Sequence, residues 1–123
     1  MRKLRAFVVV IGLLSLLACS GTPDVQEVLP GGRWMVASAT RDGKPTGTLS
    51  DLYFEFHAND SLVTNITGVP GEMRWYVQDG VIQQRKGSFD ADYKVEKISA
   101  DEMEVTTTLN GSEFVILFSK RRF

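Results

Sequence analysis

Met103-Glu-Val-Thr-Thr-Thr-Leu109, then Asn110-Gly111, then Glu113-Phe-Val-Ile-Leu-Phe-Ser-Lys120 reads as one β-hairpin. In the first arm Met103, Val105, Thr107 and Leu109 share a face opposite Glu104, Thr106 and Thr108; in the second, Phe114, Ile116 and Phe118 point inward. A period of two marks a strand with one buried face. Asn110 and Gly111 both tolerate the positive φ angles of a type I′ turn, whose twist matches that of antiparallel neighbours.

The same rhythm runs upstream. Arg33 to Thr40 places Trp34, Val36 and Ser38 on one face and Met35, Ala37 and Ala39 on the other, and 41–45 supplies turn residues. Ser50 to His57 alternates Leu52, Phe54 and Phe56 against Tyr53, Glu55 and His57. Ser61 to Thr67 follows, with Leu62 and Ile66 inward, and Gly68-Val69-Pro70-Gly71 breaks it. Glu72 to Gln78 turns Met73, Trp75 and Val77 inward, and Asp79-Gly80 leads into Val81 to Arg85. Phe89 to Ile98 carries Phe89, Tyr93 and Val95 on one face. After Gly31-Gly32 no segment holds apolar residues at helical spacing for three turns, and ahead of it Val25 to Leu29 suits a single turn. About eight short strands joined mainly by tight turns make an antiparallel meander. Closure into an up-and-down barrel removes the unpaired edges and is the expected all-β architecture, with a two-sheet sandwich as the alternative.

Ahead of the strands, Arg2, Lys3 and Arg5 precede an apolar run from Ala6 to Leu17, too short to span a bilayer comfortably, and Leu16-Leu17-Ala18-Cys19 closes it with the only cysteine. This segment resembles the lipobox of bacterial lipoprotein precursors. The resemblance implies that residues 1–18 are a signal peptide, that Cys19 becomes the diacylglyceryl-bearing N-terminus, and that 19–30 form a lipidated tether before a domain spanning 31–123. It also implies a bacterial cell envelope location, with Ser20 after the cysteine favouring the outer over the inner membrane. Removing 1–18 leaves 11 of the 14 Lys and Arg and all 15 Asp and Glu, so net charge falls from −1 to about −4. Such a balance argues against nucleic acid or an anionic membrane surface as partner. With Cys19 acylated, no thiol remains for a disulfide.

Gly32-Arg33-Trp34, heading the first strand, resembles the Gly-x-Trp motif that opens lipocalins and related small barrels. Ala91-Asp92-Tyr93 loosely resembles that family's second motif, with alanine for threonine, and the family's C-terminal helix has no counterpart here. The resemblance implies a Trp34 packed at the closed end of the barrel beneath a basic side chain from the last strand, for which Arg121 and Arg122 are the candidates. Gly32, Trp34, Arg121 and Arg122 are thus expected to mark the barrel base.

Catalytic machinery is not expected. His57 is the only histidine and reads as a surface residue, and no nucleophile elbow, phosphate loop or metalloprotease motif is present. Asp90 with Asp92, and Glu102 with Glu104, share strand faces as solubilising pairs do. Asn65-Ile66-Thr67 fits a glycosylation acceptor, but that pathway is usually absent from the bacteria a lipobox implies. Met35, Met73 and Met103 could suggest copper, yet two of them lie on inferred inward faces as core fillers. No metal or cofactor is expected. The apolar interior is the candidate site, lined by Phe54, Phe56, Trp75, Tyr93, Thr107, Phe114 and Phe118, with the Tyr93 hydroxyl needing a ligand, a water or Thr107 as partner. The expected function is therefore a membrane-anchored envelope module that holds a small apolar ligand. Its alternative is a filled barrel that contacts, or inhibits, an envelope protein through outward residues such as Tyr53, Tyr76, Val115 and Leu117.

Overall fold

A computed structural model describes residues 24–123. Cys19, the 1–18 signal segment and the first part of the expected tether lie outside the described residues. One short helix, α1 (Val25–Val28), precedes nine strands: β1 (Gly32–Arg41), β2 (Lys44–Pro45), β3 (Tyr53–Phe56), β4 (Ser61–Thr64), β5 (Gly71–Gln78), β6 (Val81–Arg85), β7 (Ala91–Ile98), β8 (Glu102–Leu109) and β9 (Ser112–Arg122). Neighbours in sequence pair antiparallel from β3 to β9, and β1 closes the ring by pairing with both β3 and β9. The result is a closed eight-stranded barrel, with β2 added as a short flap on β1.

Closure depends on the β1–β9 ladder, which runs from Gly32 opposite Arg122 to Arg41 opposite Phe114. At its lower end the backbones approach closely: a Cβ on Gly32 would lie 2.6 Å from the Arg121 carbonyl oxygen. Backbone cannot swing aside as a side chain can, so Gly32→Ala is expected to cost about 1–3 kcal/mol, as overpacked sites do. Gly71→Ala, where a Cβ would meet nothing within 4 Å, is the control and should stay within about 0.5 kcal/mol of the parent in urea denaturation.

Register also assigns each loop to an end. The 29–31, 57–60, 79–80, 99–101 and 121–123 segments gather at the base, and the 42–43, 46–52, 65–70, 86–90 and 110–111 segments form the mouth. Asn110 and Gly111 both have positive φ, 50° and 80°, as a type I′ turn requires.

Two bulges alter the faces expected from simple alternation. One lies between Val36 and Ser38, so Ala39, not Ser38, returns to the core. The other lies between Val95 and Lys97 and turns Ile98 inward. Three strands are shorter than their apolar runs. β3 begins at Tyr53 because the Leu52 and Ser50 amides are held by the Leu49 and Gly47 carbonyls. β4 ends at Thr64, and β7 begins at Ala91, which leaves Phe89 and Asp90 in the mouth loop.

At the base, the expected boundary at residue 31 is too late. Leu29 is completely buried, Pro30 bridges to Phe56, and the Trp34 indole Nε1 donates to the Leu29 carbonyl at 2.9 Å. Residues 25–30 therefore belong to the barrel as its plug. The basic side chain on Trp34 also differs from expectation. It is Lys120, whose Nζ lies 5.3 Å from the indole centroid and donates to the Val28 and Pro30 carbonyls at 2.7 and 3.3 Å. Strand parity puts Phe114, Ile116, Phe118 and Lys120 on one face and turns Arg121 to the other, while Arg122, although in step with Lys120, is the last residue of the strand, exposed and 3.6 Å from Asp101. Burial, then Arg122, lowers the Lys120 ammonium from the ordinary lysine range, with Asp101 opposing.

Candidate functional site

The interior offers little space. Trp34, Phe54, Phe56, Trp75, Tyr93 and Phe118 are all buried to within about one per cent of full coverage. Phe54 sits at the centre, with ring centroids of Tyr93, Phe118 and Phe56 at 5.1, 5.3 and 5.7 Å, and Phe56 meets Trp75 edge-on at 5.2 Å. Such separations are contact distances for aromatic pairs. Five of the seven residues expected to line a ligand, Phe54, Phe56, Trp75, Tyr93 and Phe118, therefore pack among themselves as core.

Tyr93 finds its partner inside the core. Its hydroxyl donates to Gln84 Oε1 at 3.0 Å, and Gln84 Nε2 donates to the Phe89 carbonyl at 2.9 Å. Burial, with a smaller push from the Asp92 carboxylate, raises the phenol above its ordinary range, so it serves as a neutral donor. Gln84 escapes a reading based on apolar residues, although alternation from Ile82 places it on the inward face. Thr107 plays a different role from the one expected. The β7–β8 ladder stops at Lys94 opposite Thr106, and the Thr107 hydroxyl donates to the Asp92 carbonyl at 2.7 Å, where the strands splay.

Phe114 is the one expected lining residue that reaches an apolar concavity. At the mouth, Leu49, Ile66, Phe89, Leu109 and Phe114 form the floor of a cleft of about 540 Å³, and Arg41, Thr48, Thr67, Ser88 and Asn110 form its rim. Arg41 is held in place: its Nε donates to Ser112 Oγ at 3.0 Å, and its guanidinium lies 5.8 Å from the Phe114 ring centroid. Next to it, Asp42 Oδ1 accepts from the Glu113 amide at 2.9 Å, which ties the β1 end to β9. A floor of aliphatic and aromatic carbon with a few polar groups at one edge suits a small molecule that has an apolar body and a polar or anionic end. Sequence alternation missed this site because Leu49, Ile66 and Phe89 lie in loops.

A larger depression, about 690 Å³, lies on the outer wall where β7 and β8 splay. Its lining includes Arg85, Asp90, Asp92, Lys94 and Glu113, and Arg85 is already paired with Asp92 at 2.7 Å. With charged groups at five of its ten lining positions and threonines at three more, it offers an apolar ligand less than the mouth does.

The remaining candidates scatter. His57 is half-buried at the base, its Nε2 3.8 Å from Glu55 Oε1 and its ring stacked on Phe123 at 6.3 Å. Among the described residues no group of three or more His, Cys, Asp or Glu is placed to hold a metal ion. Met73 and Met103 are core residues, whereas Met35 is exposed. The outward residues do not form one patch: Tyr53 lies under the Arg33 guanidinium at 4.2 Å, Val115 and Leu117 are half-buried on β9, and Tyr76 stands on β5 across the barrel. Compared with protein-family models, curated proteins and solved structures, the chain matches none.

Proposed function

We propose that this chain is a lipid-anchored binding module of a bacterial cell envelope, resembling lipocalins in plan, that takes a small apolar ligand at its mouth instead of within its barrel. The mouth cleft carries this reading: five apolar side chains beside a hydrogen-bonded arginine, above a core in which Phe54 packs against the Tyr93 and Phe118 rings. In such a site the floor removes the apolar body of the ligand from water, at about 25 cal/mol per Å² buried. Arg41, pinned by Ser112, offers its remaining N–H donors to a polar end without first losing rotamer freedom. Anchoring through Cys19 adds local concentration at the envelope and takes no part in recognition.

The packed interior favours a second reading, a filled barrel that presents the same mouth to an envelope protein and accepts one of its apolar side chains. Native mass spectrometry separates the two. The chain from Ser20 onward, exported behind a conventional signal peptide and purified gently from its own host, should show a discrete added mass that is released on unfolding. Leu49→Glu, which places a carboxylate on the cleft floor, should weaken that adduct at least about tenfold while leaving the core spectrum unchanged. Bare protein from the host would overturn the small-ligand reading in favour of the protein-binding one.

A further inference from the structure

The plug at the base fixes where the chain leaves the barrel, and this bears on how the domain stands at a membrane. Trp34 and Lys120 hold the Val28, Leu29 and Pro30 carbonyls, Asp24 caps the short helix before them, and only five Cα–Cα steps of sequence separate Cys19 from Asp24. Those five Cα–Cα steps reach at most about 18 Å. β9 has 11 residues, which at about 3.3 Å each and a tilt near 40° gives a barrel roughly 28 Å tall. A chain leaving the base cannot reach past the mouth, so a mouth-down arrangement is excluded. Upright on the base and lying on one side remain.

The base rim chooses between them. Gly31, which follows the plug, lies beside the end of β9: the Phe123 amide donates to its carbonyl at 3.4 Å, and Gly32 pairs with Arg122. Phe123 is 77 % exposed, and Arg121 and Arg122 are exposed next to it. A solvent-facing aromatic flanked by two guanidiniums, at the point of tether exit, suits the headgroup layer of a bilayer containing anionic lipid. Acidic groups share this end. Asp101 stands 3.6 Å from Arg122, Asp24 and Glu27 lie on the plug, and Asp60 and Asp79 are exposed in the other base turns, so the basic character is confined to Arg121 and Arg122 on the β1–β9 side.

We propose that the lipidated protein stands base-down, with Arg121, Arg122 and Phe123 touching the headgroup layer and the mouth cleft facing away from the membrane. The cleft then draws its ligand from the aqueous side and not from the bilayer below. This rests on the reading of Cys19 as the lipid-bearing residue.

The test uses the full lipidated chain in phosphatidylethanolamine–phosphatidylglycerol vesicles that carry a nitroxide-headgroup lipid. Single fluorophores are placed through Ala100→Cys at the base or Ser88→Cys at the mouth, both exposed positions. Quenching should be several-fold stronger at 100 than at 88, and adding Arg121→Glu, Arg122→Glu and Phe123→Ser should shrink that contrast while the protein stays vesicle-bound. Equal quenching at the two positions in a chain whose mass shows the diacylglyceryl addition would overturn the orientation alone. An unmodified Cys19 would overturn both the orientation and the anchoring on which it rests.

Discussion

Trp34→Ala is expected to cost the barrel more stability than Gly32→Ala, Lys120→Met or Gln84→Leu. Deleting a fully buried tryptophan costs about 3–5 kcal/mol through lost transfer energy and the cavity left behind. The substitution also leaves the Leu29 carbonyl without its donor and Lys120 without the ring beneath it. Against the 5–15 kcal/mol typical of a domain this size, that loss is at least a fifth of the total and at the low end all of it. Plug and barrel should fail together, since Leu29 is held by Trp34 and Trp34 is covered by Leu29. Lys120→Met separates the two contributions. It keeps the apolar stem and removes only the ammonium, so a loss of about 1–2 kcal/mol is expected. Urea denaturation followed by Trp75 fluorescence measures both variants. A Trp34→Ala protein within 1 kcal/mol of the parent would show that the base is not sealed as described.

Gln84→Leu ranks second. Gln84 is completely buried and serves two groups at once, the Tyr93 hydroxyl and the Phe89 carbonyl. Leucine fills most of the space but leaves both without partners, at about 1–3 kcal/mol for each. Tyr93→Phe in the same background removes one of those orphans, so the double variant should be less destabilised than the sum of the two single variants. Additive losses would show that the hydroxyl and the amide do not interact. Tyr93 also governs the alkaline limb. Its folded value is raised from the ordinary 10.0, chiefly by burial and secondly by Asp92. Above about pH 10 the unfolded chain releases this proton and the folded chain keeps it. Stability from Tyr93 is thus full below pH 10 and falls by about 1.4 kcal/mol per unit above it. Tyr93→Phe should remove that part of the slope.

Wherever alternation ran unbroken between good turn residues, the fold was legible. The β8–β9 hairpin, the inward faces of Phe54, Phe56, Trp75 and Tyr93, and the turns at Asp79-Gly80 and Asn110-Gly111 all follow from local rules. Lys120 was legible too, since two steps beyond Phe118 returns to the same face. The bulges at 36–38 and 95–97 were not. Nothing in Ala37 or Glu96 marks an extra residue, because a bulge is set by how a strand must bend to close the ring. The mouth cleft was hidden for a related reason: Leu49, Ile66 and Phe89 occupy loops, where position is decided by tertiary packing and not by periodicity. Sequence pointed correctly to an aromatic interior, but whether aromatics line a cavity or fill one depends on volume, which alternation does not encode.

A ligand is expected to meet the mouth and not the interior. Methyl-labelled NMR of the exported chain, titrated with decanoate as an apolar probe with an anionic end, tests it most directly. Methyl resonances of Leu49, Ile66 and Leu109 should shift together and saturably, while those of Leu62, Ile82 and Ile116, all buried in the barrel, stay in place. Saturable shifts centred on Ile82 and Ile116 would contradict the account, because they would put the ligand inside a barrel whose core opens to receive it.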